Sequence, residues 1–177
     1  DIRLGYNAEE LPAGVTAAIT AMSGGDGAPD FDDLWSALGD DHFNIWANPY
    51  TDTASMTAIK AELITRAGPT IQHDAVAFSA LGGSVGTVGT YGDSHNNQFI
   101  SVAALQNSPT PAYEKAAEIA AIVAINGQRD PARPFQTLQM LWTKAPAKSD
   151  RFTLEERNLL LADGIATTKV TPDGFVM

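Results

Sequence analysis

Short apolar runs alternate with helix-length segments through the middle of the chain, and this alternation constrains the fold more than any other feature. Residues 74–80 are almost continuously apolar, which is typical of a strand buried on both faces. Residues 42–47 alternate polar with apolar, and residues 98–105 form a third apolar run. Strands that alternate with helices favour an α/β fold with three layers, helix/sheet/helix, around a mainly parallel central sheet.

Helical periodicity and capping residues predict six helices. Their predicted positions are residues 9–22, a short helix from Asp30, 53–67, a short helix after Ser84, 111–125 and 153–162. Asp52 or Thr53 caps the third helix, and the spacing places Leu34 and Ile64 on buried faces. The Asn126-Gly127 pair is expected to end the fifth helix.

The regular pattern loosens after Gly127. Thr153 and Glu156 form a capping-box signature, and residues 165–170 with 175–177 read as a hairpin whose second strand is unfinished. We therefore divide the chain into an α/β core domain, residues 1–127, and a small C-terminal helix-plus-hairpin subdomain, residues 128–177. Because the chain starts at Asp1 and stops at Met177, directly after a turn, we interpret it as a truncated fragment.

Composition and charge exclude several classes of function. The 177 residues contain no cysteine, so neither disulfides nor thiolate metal sites exist, and no apolar run approaches the roughly 20 residues that cross a bilayer. The net charge of −10 disfavours nucleic acid. Residues 1–52 carry ten acids against one base, whereas residues 129–157 carry six bases against four acids. Unlike surfaces of this kind can meet between copies or on another protein, or can simply be solvated faces.

One motif points towards an enzyme. Gly82-Gly83-Ser84-Val85-Gly86 matches the G-x-S-x-G elbow of serine hydrolases, and it follows an apolar strand. The histidine and acid that follow, His95 and Asp93, would lie more than about 10 Å from Ser84 along the helix. A catalytic triad is therefore not expected, and the glycines are better explained by a tight turn. A serine hydrolase and a small-ligand-binding α/β module remain the alternatives.

Specific segments of the chain resemble the tail sheath proteins of contractile-tailed bacteriophages, particularly the Mu-like type. The most distinctive are residues 130–138 (DPARPFQTL), 150–153 (DRFT), 156–160 (ERNLL) and 164–167 (GIAT), supported by 11–15, 24–30 and 48–52. The resemblance implies a structural virion protein that forms hexameric rings and a helical sheath around the tail tube. It also implies contact with baseplate and tail terminator proteins, assembly in the host cytoplasm, and neither enzymatic activity nor a cofactor.

Two hypotheses place an assembly surface in the C-terminal third. Trp142 is the best candidate for an interface anchor, because Trp is enriched in binding hot spots. Basic residues nearby are expected to face an acidic surface on the tube or the next subunit: Lys144, Lys148, Arg151 and Arg157. A seam between subunits is expected along residues 165–170, at Ile165, Thr167 and Val170. No metal or nucleic-acid site is predicted.

Overall fold

Four parallel strands form the centre of the protein. The computed structural model describes residues 29–132 and 134–177, so the helix predicted for residues 9–22 lies outside the described residues. The strands lie side by side in chain order: β1 (Ile45–Ala47), β2 (Val76–Leu81), β3 (Ile100–Ala104) and β4 (Ile165–Thr167). All three strand pairs are parallel. The predicted α/β class and the central position of the 74–80 strand are confirmed.

Five helices surround this sheet within the described residues. They are α1 (Asp32–Leu38), α2 (Thr53–Arg66), α3 (Val85–His95), α4 (Ala112–Arg129) and α5 (Leu154–Ala162), with a 3-10 turn at Lys148–Asp150. Local signals start three of them: the Asp52 side chain accepts from Ser55 N, Ser84 caps α3, and Thr153 with Glu156 forms the predicted capping box.

The helices lie on both faces of the sheet, as the three-layer prediction requires. On one face, Met56 of α2, Val88 of α3 and Leu160 of α5 join the core formed with Ala77 and Val102. These small and β-branched strand residues let the helices pack close to the sheet.

On the opposite face, α4 packs across β2 and β1. Ile119 and Ile122 of α4 cover a second, smaller core of Leu105, Met140 and Val176. This second core lies beneath the C-terminal segment. It anchors the residues that follow α4 on α4 itself.

Three details of the predicted elements are wrong. Leu34 and Ile64 are 50% and 49% exposed, because α1 and α2 turn other residues towards the core. The helix α4 does not stop at Asn126-Gly127 but continues to Arg129. A Cβ at Gly127 would lie in ordinary van der Waals contact with the Phe135 ring, at 3.4 Å, so the helix passes the glycine without strain.

The predicted hairpin is also only partly correct. Residues 165–167 do not pair with the chain terminus; they form β4 and add to β3 in parallel, with Ile165 opposite Val102. Only residues 169–171 pair with the chain terminus, where Lys169 and Met177 exchange two backbone hydrogen bonds of 2.7 and 2.9 Å. The segment is therefore divided between the main sheet and a small terminal hairpin, and the 127/128 domain boundary stays a prediction.

Candidate assembly surface

A single carboxylate fixes the segment that carries Trp142. Glu118 of α4 accepts hydrogen bonds from Trp142 N (2.8 Å), Thr143 N (2.9 Å) and Thr143 Oγ1 (2.6 Å). Lys144 N donates to Thr110 Oγ1 at 2.9 Å, and the Lys144 carbonyl accepts from Ser108 Oγ at 2.7 Å. Hydrogen bonds to a charged acceptor are among the stronger ones in proteins, so this segment is firmly held against α4.

This clamp, formed by Glu118 and the segment 141–144, presents two large apolar side chains to solvent. Leu141 is 72% exposed and Trp142 is 82% exposed, although the neighbouring Thr143 is buried. A hydrophobic pair held rigidly at the surface loses little conformational entropy when a partner covers it, which favours its use as an anchor. The exposure of Trp142 is compatible with the predicted interface role, which stays a prediction, and Leu141 and Glu118 were not among the predicted residues.

Two of the four predicted basic residues line a common cavity. Arg151 and Arg157 line a cavity of about 130 Å³ together with Lys169, at the carboxyl ends of β3 and β4. Lys148 lies on the exposed 3-10 turn and Lys144 beside Ser108. Lys169 was not among the predicted residues, because 12 residues separate it from Arg157 in sequence and only the fold brings them together.

The predicted seam lies at an edge of the sheet. β4 is the outermost strand, so one side of its backbone has no strand neighbour within the described residues. Ile165 is 2% exposed and belongs to the core, whereas Thr167 is half-buried and Val170 packs partly against the second core. Any contact made by Ile165 would thus involve its backbone and not its side chain.

An apolar groove of about 440 Å³ is lined in part by Met140, the residue that precedes the exposed Leu141-Trp142 pair. Residues from α4, the 135–140 segment, α5 and the terminal hairpin line it, including Ile119, Ile122, Phe135, Met140, Leu161 and Met177. Its size falls within the roughly 300–1,000 Å³ range of ligand pockets. The groove thus adjoins the exposed pair in sequence through Met140.

The serine elbow is used as a helix cap. Ser84 Oγ accepts from Thr87 N at 3.3 Å and shares a 3.0 Å hydrogen bond with Thr87 Oγ1. His95 lies at the other end of α3, about 15 Å away at the helical rise, where its Nδ1 contacts the Tyr91 carbonyl at 3.1 Å. His95 is therefore too far from Ser84 to act as its general base.

Two titratable groups have pKa values shifted by burial: half-buried Tyr91 and buried Lys115. Burial, and secondarily the charge of Asp52, raises the pKa of Tyr91 to about 12, and its hydroxyl has no hydrogen-bond partner in the structure. Burial lowers the pKa of Lys115 on α4. Within residues 29–132 and 134–177, no cluster of three or more His, Cys, Asp or Glu could hold a metal ion, and no helix is both long and apolar enough to cross a membrane.

Comparison with known proteins identifies the family. Residues 24–177 match the family model described as the phage tail sheath protein central domain. The chain therefore belongs to the phage tail sheath family, a class of structural phage tail proteins. A curated relative, the Mu-like prophage FluMu tail sheath protein of Haemophilus influenzae, is 40% identical over 165 residues, or 93% of this chain. Those residues span 34% of that relative, about a third of its length.

Proposed function

We propose that this chain is part of a contractile tail sheath, which polymerises around the tail tube and contracts to drive the tube through the host envelope during genome delivery. The observation that carries the proposal is the family match over residues 24–177, supported by 40% identity to a tail sheath protein. A sheath subunit needs a rigid block with specific contact surfaces. The doubly covered parallel sheet supports the first requirement, and the segment held by Glu118 is the proposed contact surface.

The proposed partners follow from this role. They are other copies of the protein, arranged in hexameric rings and a helical sheath, together with the tail tube, baseplate and tail terminator proteins. Assembly takes place in the host cytoplasm and the product resides in the virion tail. The role requires neither a cofactor nor catalysis, and the capping use of Ser84 is consistent with a non-enzymatic protein.

The proposed contact residues are those of the clamped segment, the basic positions and the sheet edge. They are Trp142, Lys144, Lys148, Arg151, Arg157, Ile165, Thr167 and Val170. Trp142 supports this assignment best, because its ring is largely exposed while its backbone is fixed by Glu118. Combining Lys148→Glu with Arg151→Glu should impair tube attachment or ring stacking without unfolding the subunit. Unchanged attachment and stacking would remove both residues from the contact surface.

The function is tested by electron microscopy of the full-length protein expressed alone. Tubes with the diameter and striation of a contracted sheath are expected. Trp142→Ala should reduce tube formation, while the matched substitution of another exposed apolar residue, Ile64→Ala on α2, should not. A fluorophosphonate probe tests the hydrolase alternative, since labelling that is lost in Ser84→Ala would contradict a purely structural role.

A further inference from the structure

We infer that neighbouring subunits meet head to tail through opposite charges, with the acidic β1 side of one copy against the basic cavity beyond β3 and β4 of the next. This inference rests on the proposed sheath function and names the partner of the basic residues as a second copy of the chain. Two surfaces carry it, and each is described below by its residues.

The basic edge consists of Arg151, Arg157 and Lys169. All three line the same cavity of about 130 Å³, and no acidic residue described by the structure lines it with them. The guanidinium groups are oriented by the backbone, because Arg151 Nε donates to the Pro146 carbonyl at 3.3 Å and Arg157 Nε to the Thr153 carbonyl at 3.4 Å. Such an arrangement suits carboxylates from a partner.

Two acids close in sequence to the basic edge, Glu156 and Asp150, accept hydrogen bonds from other groups. Glu156 accepts from Thr153 N at 2.7 Å in the capping box of α5. Asp150 accepts from Ser149 Oγ at 3.0 Å and from Asn107 Nδ2 at 3.4 Å. Both acids thus serve a local cap and turn, and we assign the carboxylates that meet the cavity cations to the next subunit.

The acidic edge consists of exposed aspartates on and around α1. They are Asp30, Asp32, Asp33, Asp40 and Asp41, all exposed within twelve residues of chain. The helix α1 is fixed beside β1 by aromatic packing, since the rings of Trp35 and Trp46 stack with centroids 5.8 Å apart. These acids therefore occupy a fixed position at the β1 side of the subunit.

The two edges lie on opposite sides of the sheet. The strand order puts β1 and β4 at its two outer positions, about 14 Å apart at the usual strand spacing. Because the two patches lie on different sides of the subunit, each is available to a different neighbouring copy. They join copies head to tail, which is the contact type that generates closed rings or open helical filaments. Charge complementarity of this kind fixes register and partner choice.

A charge swap in the full-length sheath protein tests the contact. Lys169→Glu and the double variant Asp33→Lys/Asp40→Lys should each raise the protein concentration needed for half-maximal tube formation by about fivefold or more, because repulsion replaces attraction. Combining all three substitutions in one chain should restore assembly towards the wild-type concentration. Each effect should shrink in about 1 M salt, where the Debye length falls to about 3 Å.

Matched controls reverse exposed charges away from both edges, with Lys60→Glu on α2 and Asp93→Lys on α3. Circular dichroism establishes that every variant retains its fold. Tubes that form normally from both edge variants would overturn the inference and leave the sheath function intact. Defects that the combined variant fails to rescue would also overturn it, because the edges would then meet other partners.

Disulfide capture tests whether the two edges meet between subunits even if no tubes form. The chain contains no native cysteine, so Asp40→Cys and Lys169→Cys variants can be mixed and oxidised without background pairing in these 177 residues. Intermolecular capture well above that of an Asp93→Cys and Lys169→Cys mixture is expected. Equal capture in the two mixtures would refute the contact. Absence of wild-type tubes together with specific capture would count against the sheath function and not against the head-to-tail contact.

Discussion

Removing the Glu118 carboxylate should release the segment that carries Trp142. The Thr143 amide lies in a buried residue and loses its acceptor in Glu118→Ala, whereas water can replace the acceptor of the exposed Trp142 amide. An unsatisfied buried donor costs about 1–3 kcal/mol, so we expect a loss of about 2 kcal/mol in the free energy of unfolding. For a chain of this size, that corresponds to a fall in melting temperature of about 4–8 °C.

Substitutions at both ends of the clamp separate its parts. Glu118→Gln retains one carbonyl acceptor but loses the second acceptor oxygen and the charge, so its stability should lie between those of wild type and Glu118→Ala. Thr143→Val removes only the hydroxyl that donates at 2.6 Å. If the pair interacts directly, the losses measured for Glu118→Ala and Thr143→Val will not add in a double-mutant cycle.

The assay combines denaturant unfolding with amide hydrogen exchange. Protection of the Trp142 and Thr143 amides should fall in Glu118→Ala by more than global unfolding explains, because the segment then opens locally. Gln128→Ala, an exposed change in the last turn of the same helix, is the control and should alter neither measurement. A stability loss below about 0.5 kcal/mol with unchanged protection of both amides would refute the clamp as the anchor of this surface.

Three further predictions concern a glycine packed against the sheet and two titratable residues. Gly92→Ala should cost about 1–3 kcal/mol in thermal unfolding, because a Cβ there would collide with the Asp163 carbonyl, whereas Gly86→Ala on the same helix has open space and should be neutral or stabilising. The Ser55 backbone N–H lowers the pKa of Asp52 from 3.8. The Asp52 carboxylate therefore contributes stability above that value, and the contribution is lost as the pH falls through the pKa of the folded state. Asp52→Ala should remove about 1 kcal/mol from the free energy of unfolding at pH 7 and progressively less in acid titrations. Because the pKa of Tyr91 is raised from 10.0 to about 12, the folded state loses stability as pH rises between these values, and Tyr91→Phe should abolish that portion without loss at neutral pH.

Local chemistry made much of the fold predictable. The buried strands β2 and β3, the Asp52 cap and the α5 capping box all follow from residues within a few positions of one another. The resemblance to tail sheath proteins likewise came from short segments, and the family match confirms it. These features depend on local sequence signals and not on residues elsewhere in the chain.

The errors arose where distant residues decide the local structure. Gly127 and its neighbour signal a helix end, but α4 continues past them and places Phe135 against the glycine. The 165–167 segment has strand character, yet its partner is β3, more than sixty residues earlier, and not the nearby chain terminus. Strand character is a local property, whereas the choice of partner depends on which edge the fold leaves open.

Surfaces for assembly are harder to predict than the core for the same reason. The aspartates around α1 are contiguous in sequence, so an acidic face was visible from charge counting alone. The basic edge is assembled from the loop before α5, from α5 itself and from the terminal hairpin, and its third cation, Lys169, becomes recognisable only when β4 joins the sheet. Exposed ion pairs are individually weak, at about 0–1 kcal/mol, so a contact built from them can hold a register when repeated in many subunits and still exchange when the assembly rearranges. In the contractile sheath proposed above, subunit contacts must be specific but replaceable, and charged edges of this kind would meet both requirements.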